Sequence, residues 1–329
     1  MIADSDFGDV DIERAIVEDA GFALDPRQCR SEEEVVRYGR DAEGILTQYA
    51  HIGAAAMDQL HNCRVIARYG TGVDIVDVDA ATRHGIQVTN APNEWCADEV
   101  ADHAIALWLC AARKIIQYDA ATGAGEWRWQ SGEPIWRLRG RVLGILGFGA
   151  IARLIAERAR PFGVHLRSHD PFVPDELVRD HGVHPVSFDE LVEQSDYLVI
   201  QAPLTPDTHH LFNRATLARM KPTAMLINTA RGPIVEDAAL ADALAKRTIA
   251  GAALDDLAEE PAKLRHWRPD NPLLRLPNAV ITPHAAYYSE ESMREVRAIA
   301  AEEAVRVLTG RRPQSPVNTV NRPLGTARR

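Results

Sequence analysis

Hydrophobic residues fall along this chain in two alternating patterns. Short apolar runs bounded by Gly, Pro or Asn read as strands, and between them lie segments with helical spacing. In the N-terminal third, "GILTQYA", "RVIARYG" and "IQVTNAP" read as strands. "DIERAIVEDAG" and "DVDAATRHG" read as helices closed by Gly21 and Gly85. Strands separated by helices argue for a parallel sheet. A long helix is expected over roughly Glu94 to Tyr118, with Asn93 as its cap. Its middle, "VADHAIALWLCAA", is apolar or small on nearly every face, so burial on all sides is expected, between domains or in a subunit interface. His103 within it reads as a packed, hydrogen-bonded histidine. A Trp- and Gly-rich loop follows, and then six further strand candidates: "RVLGILG", "VHLRSHD", "YLVIQAP", "AMLINTA", "IAGAALDD" and "AVITP". Helical segments separate most of them, which makes an α/β, doubly wound parallel sheet. A last helix runs from about Ser289 to Thr309, with Ser289 as cap, Gly310 as stop, and an apolar stripe of Met293, Val296, Ile299 and Val307. The N-terminal domain is the surface it is expected to cover.

Composition narrows the class. The chain has 329 residues, 46% of them hydrophobic, which allows two sizeable cores. Its formal charge is −10, without a basic block, so nucleic acid is not expected as a partner. The four cysteines are scattered, with no C-x-x-C pair, and no metal site is expected. The acidic start "MIADSDFGDVDIE" lacks the build of a signal peptide, and no apolar stretch is long enough to span a bilayer. A cytoplasmic protein is therefore expected.

Chemistry concentrates in the second half. Gly147-Phe148-Gly149-Ala150-Ile151-Ala152 is a G-x-G-x-x-A loop between a strand and a helix. Gly147 suits a tight turn, Gly149 a close backbone approach to pyrophosphate, and Ala152 close helix–strand packing. The motif alone is weak. It gains weight from Asp170, an acid eighteen residues beyond Ala152 at the end of the next strand. A carboxylate there accepts bonds from ribose hydroxyls and repels a 2′-phosphate, which favours NAD over NADP; Arg167 and His169 beside it pull the other way. Three further strand ends carry polar segments. These are "NTARGPIVE" with Thr229, Ala230 and Arg231, "LDDLAEEPA" with Asp255 and Glu260, and "TPHAAYYS" with His284. Each admits a structural reading. Arg231 could pair with Glu236 or Asp237, Glu259 and Glu260 could be a solvated pair, and His284 a satisfied core histidine. Their joint arrival at consecutive strand ends favours hydride chemistry on a 2-keto or 2-hydroxy acid. An imidazolium can protonate the carbonyl oxygen, a carboxylate can orient it, and a guanidinium can grip the substrate carboxylate.

The motifs "RYGTGVDIVDVDAATRHGIQVTNAP", "LRGRVLGILGFGAIAR", "APLTPDTHHLFN", "INTARGPIVEDAALADAL", "GAALDDLAEEP" and "ITPHAAYYSEES" resemble the D-isomer-specific 2-hydroxyacid dehydrogenases almost from end to end. "PHAAYYSEES" and the tail "VLTGRRPQSPVN" are most similar to the C-terminal binding protein branch. The resemblance implies two Rossmann-like domains. A flavodoxin-like substrate domain would comprise residues 1–97 and 288–329, and an NAD-binding Rossmann domain residues 98–287. It implies catalytic roles for Arg231, Glu260 and His284. Arg68, Gly70, Thr71 and Gly72 would hold the substrate carboxylate. Gly147, Phe148, Gly149, Ala150, Ile151, Asp170, Pro203, Thr208, Thr229, Ala230, Arg231, Asp255 and His284 would line NAD, with Asp255 at the nicotinamide carboxamide. His209 and His210 read as solvated bystanders. Tyr287 stands where the corepressor members carry tryptophan, and Glu260 where formate dehydrogenases carry glutamine, which argues against formate oxidation. A homodimer is implied. The competing expectation is an NAD(H)-sensing scaffold with little turnover.

Overall fold

The computed structural model describes residues 1–259 and 270–320. Two compact units emerge, one formed by residues 1–95 with 289–320, the other by residues 96–259 with 270–288.

In the first unit a parallel three-stranded sheet joins β1 (Gly44–Thr47), β2 (Val65–Arg68) and β3 (Gln87–Thr89). Ile2 bridges Leu46 of β1 on one side and Pro26 on the other, both in parallel. The N-terminal segment is thus inserted between residue 26 and β1. Counting those two segments as strands gives the order 2-1-3-4-5 of flavodoxin-like sheets. Its core gathers Ile45, Ile66, Val88, Met57 and Leu60. The last helix, Glu290–Leu308, packs on this sheet and on helix Asp11–Asp19. Ser289 and Ser292 close a capping box at its start. Its buried face differs from the expected stripe. Val296, Ala300, Ala301, Ala304, Val305 and Val307 are buried, with Arg297 and Glu303 among them, while Met293 and Ile299 are only half-buried. Small side chains let the helix approach the sheet, and Arg297 is tolerated because its guanidinium meets the fully buried Glu13 at 2.8 Å and Asp9 at 2.6 Å.

The second unit is a seven-stranded parallel sheet, one strand more than expected. It comprises β4 (Val142–Leu146), β5 (His165–His169), β6 (His184–Pro185), β7 (Tyr197–Ile200), β8 (Met225–Asn228), β9 (Gly251–Leu254) and β10 (Ala279–Ile281), in the order β10-β9-β8-β7-β4-β5-β6. The extra strand is the two-residue β6, too short to leave a hydrophobic run. Alternation sorts the side chains onto two buried faces. Leu198, Ile200, Leu226 and Leu254 go to one core, and Tyr197, Val199, Met225 and Ile227 to the other.

The long apolar helix is two helices. A 3-10 turn covers Asn93–Cys96, helix Ala97–Arg113 follows with Cys96 at its N-cap, and Lys114 adopts a left-handed φ of 57° before helix Ile115–Gly123. Trp108, Leu107 and Ala104 of the first helix join Ile145, Phe148 and Ile155 in a core of their own unit, so it is covered by its own sheet. What stays exposed follows the break: Ile115, Ile116, Trp127, Trp129 and Trp136. Among the described residues no helix is long and apolar enough to cross a membrane.

Candidate active site

Register decides which loops meet. Leu146 of β4 lies between His169 of β5 and Ile200 of β7, Ile200 pairs with Asn228, Asn228 with Leu254, and Leu254 with Ile281. The segments beginning at Gly147, Asp170, Gln201, Thr229, Asp255 and Thr282 therefore leave one edge of the sheet side by side. Strand order reverses between β4 and β7, which is where open parallel sheets form a crevice for ligands.

At the β4 end, Gly147 has φ 86°, and a Cβ there would sit 2.9 Å from the Gln201 carbonyl oxygen and 3.0 Å from the Ala202 nitrogen, so only glycine fits. Helix Ala150–Ala159 starts from Gly149 without a side-chain cap, and the space before the Gly149 Cα is open. Its first N–H groups and dipole face that space. Asp170 ties in here. One oxygen accepts the Phe148 N–H at 2.7 Å, the other the Phe172 N–H at 2.8 Å. The basic neighbours point elsewhere: Arg167 bonds Gln194, and His169 Nδ1 lies 3.0 Å from the Val186 carbonyl oxygen. Pro203 and Thr208 form a closed loop after β7, with Thr208 Oγ1 donating to the Pro203 carbonyl at 2.6 Å. His209 and His210 stack on each other at the surface.

At the β8 end, Asn228 is fully buried and shapes the following loop. Its oxygen accepts the Ala230 N–H at 3.0 Å and its amide donates to the Arg231 carbonyl at 2.9 Å. Gln201 Nε2 bonds Thr229 Oγ1, which links this loop to the one after β7. At Gly232 an added Cβ would overlap the Leu257 carbonyl, so the loops after β8 and β9 touch backbone to backbone beside Arg231.

Asp255 organises the β10 end. Its carboxylate accepts the Thr282 hydroxyl at 2.5 Å, the Ala285 N–H at 2.9 Å and the Ala286 N–H at 2.8 Å. His103 Nε2 lies 3.0 Å from Thr282 Oγ1 and 3.4 Å from Asp255 Oδ1. Burial alone would raise the Asp255 pKa, but His103, Thr282 and the two N–H groups outweigh it and hold the carboxylate below its usual range. The turn so clamped carries His284, whose N–H donates to the Asp255 carbonyl at 2.7 Å and whose φ is 53°. Positive φ in a histidine is uncommon, and here three bonds to Asp255 enforce it. Tyr287 packs edge-on against the imidazole, ring centroids 5.9 Å apart.

The structure thus brings Arg231, Asp255 and His284 to adjacent strand ends, and Gly147–Ile151 together with Asp170. Glu260 lies outside the described residues. Arg68, Gly70, Thr71 and Gly72 belong to the first unit. There the Arg68 guanidinium covers Gly70, Asn90 Nδ2 donates to the Thr71 carbonyl at 2.6 Å, and Trp95 Nε1 donates to Thr71 Oγ1 at 3.2 Å. Sequence reasoning missed Asn228 and Thr282; His103, read as a packed, hydrogen-bonded histidine, does form that bond, to Thr282, and also reaches the Asp255 carboxylate. A polar residue at the last or next position of a buried strand was the available signal.

A sequence model described as the D-isomer specific 2-hydroxyacid dehydrogenase, NAD binding domain, matches residues 105–286. The chain is 36% identical over 295 residues to a D-3-phosphoglycerate dehydrogenase of Methanocaldococcus jannaschii, covering 89% of this chain and 55% of that protein. It is 35% identical over 292 residues to a glyoxylate reductase of Korarchaeum cryptofilum, covering 88% and 86%. The chain spans about half the length of the phosphoglycerate dehydrogenases it matches. Among solved structures, the NAD-dependent formate dehydrogenase of Staphylococcus aureus in complex with NAD aligns with a TM-score of 0.84 at 30% identity, covering 94% of this chain and 92% of that one.

Proposed function

This chain belongs to the D-isomer specific 2-hydroxyacid dehydrogenase family, and on that premise we propose that it is an NAD-dependent oxidoreductase interconverting small 2-keto acids and D-2-hydroxy acids. The observation that carries the reading is the register Asn228–Leu254–Ile281, which delivers Arg231, Asp255 and His284 from neighbouring strand ends. The names of the relatives make glyoxylate-like and 3-phosphoglycerate-like acids the first substrates to test.

The residues fit a dinucleotide. The Gly147 turn and the open helix start at Gly149 would take the pyrophosphate through backbone N–H groups. Phe148, Ala150 and Ile151 continue that loop. Asp170, its two oxygens each already holding one N–H, keeps lone pairs for ribose hydroxyls, and with Arg167 and His169 engaged elsewhere NAD is favoured over NADP. Pro203, Thr208, Thr229 and Ala230 would line the groove toward Asp255, which would face the carboxamide. When bound, the nicotinamide supplies or accepts the hydride at C2 of the acid. Arg231 would grip the substrate carboxylate and polarise the carbonyl, and the family resemblance assigns carboxylate binding also to Arg68 and to the N–H groups of Gly70, Thr71 and Gly72. His284 donates the proton to the carbonyl oxygen in reduction and removes it in oxidation, steadied by Glu260.

The test is a panel of 2-keto acids with NADH and with NADPH, followed by nicotinamide absorbance, on the wild type and on His284→Ala and Arg231→Ala. Turnover with NADH in the wild type, reduced at least about a hundredfold in each variant with NADH binding retained, is expected. Full activity in either variant overturns the assignment. Negligible turnover on every acid, with partner capture that responds to NADH, would favour the scaffold reading.

A further inference from the structure

Next to Asp255 stands a second acid with a different environment. Asp256 is 3% exposed, and among the described residues neither of its carboxylate oxygens accepts a hydrogen bond. Asp255, one residue earlier, accepts three. Leaving a carboxylate buried without donors costs several kcal/mol, so a chain that keeps one there needs a reason. The group that faces it is the imidazole of His284, whose Nδ1 lies 3.9 Å from Asp256 Oδ2. That is too long for a hydrogen bond, and closing the gap by about 1 Å would make one. Among the described residues, the other titratable groups against the pair are Asp255, which holds the His284 backbone, Tyr287 on the imidazole face, and His103 behind Asp255.

We propose that Asp256 is a positioning residue for the reaction: its buried carboxylate draws in Nδ1 of His284 while the ring is protonated, and so presents Nε2–H to the substrate carbonyl. This role rests on the dehydrogenase reading. In reduction the carbonyl carbon gains the hydride, the carbonyl oxygen gains the proton from Nε2, and the ring is left neutral with its proton on Nδ1. The attraction to Asp256 is then weaker, so the carboxylate favours the state before transfer over the state after it. Glu260 is assigned the supporting-carboxylate role by sequence; Asp256 adds a second negative charge on the same ring.

Two consequences separate this from a structural role. A carboxylate kept for its charge costs stability, so removing the charge at constant shape should not destabilise the fold. The same change should weaken the acid form of His284 and leave the base form intact, which acts oppositely on the two reaction directions. Asp256→Asn and Asp256→Val are compared with the wild type by thermal melting without ligand, and by kcat/KM for 2-keto acid reduction and 2-hydroxy acid oxidation across pH. Both variants should melt at or above the wild type. Their reductive kcat/KM should fall about tenfold at neutral and alkaline pH, while oxidation near neutral pH is retained or raised. Lower melting in both variants, or reduction profiles that superimpose on the wild type, overturns the role. Absence of turnover in the wild type sinks the dehydrogenase reading and this role together; turnover in the wild type with unshifted variants sinks this role alone.

Discussion

Replacing Asp255 by asparagine keeps the shape of the side chain and removes half of its accepting capacity. In the native turn Oδ1 takes the Thr282 hydroxyl and the Ala285 N–H, and Oδ2 takes the Ala286 N–H. An amide can offer one oxygen only, so in either orientation its NH2 faces at least one backbone N–H. The variant loses one or two bonds to a charged acceptor and leaves a donor unpaired at a site that is 2% exposed. Bonds to charged groups are worth about 1.5–3 kcal/mol each, and an unpaired buried donor costs about 1–3 kcal/mol, with partial relaxation on both sides. A net loss of about 3 kcal/mol is expected, or roughly 6–12 °C in the melting of a domain this size. Because the folded pKa of Asp255 is depressed, its contribution is complete above the unfolded carboxylate value of about 3.9 and is lost as pH falls from there through the folded value. Melting of wild type and Asp255→Asn without ligand, at pH 7.5, 5.5 and 3.5, provides the assay. The gap should be equal at the two higher values and narrower at the lowest. An Asp255→Asn protein as stable as the wild type at neutral pH would show that the carboxylate does not clamp the His284 turn, and the geometry derived for that turn would fail with it.

Two further outcomes follow from packing. Arg297→Ala strands the fully buried Glu13 and should cost about 3–5 kcal/mol in urea unfolding, whereas Glu13→Leu combined with Arg297→Met should recover most of that loss; equal stability of the single variant and the wild type would refute the pairing. Ile116, Trp127 and Trp129 are 51%, 89% and 66% exposed, and we expect a second copy of the chain to cover them. Sedimentation should then give twice the chain mass for the wild type and the single mass for Ile116→Asp with Trp129→Asp, and a monomeric wild type at micromolar concentration would remove the dimer.

The sheets were legible because their strands are buried on both faces, and such strands write themselves as continuous apolar runs between Gly, Pro and Asn. "YLVIQAP" and "AMLINTA" could be little else, and both are strands. What escaped was whatever depends on partners distant in sequence or on a single residue's dihedral angle. Lys114 breaks the long helix at a left-handed φ of 57°, with neither Gly nor Pro to announce it. The last helix hides Arg297 instead of Met293 because the compensating Glu13 sits at the other end of the chain. The same limit applies at the candidate site. "LDD" shows two equivalent acids after a strand, and nothing local tells them apart. Folded, the first accepts three hydrogen bonds and holds a turn in place, while the second accepts none from the described residues and faces an imidazole. Residue type places an acid on a strand end, but the groups each carboxylate meets come from the turn after β10 and from helix Ala97–Arg113, far along the chain.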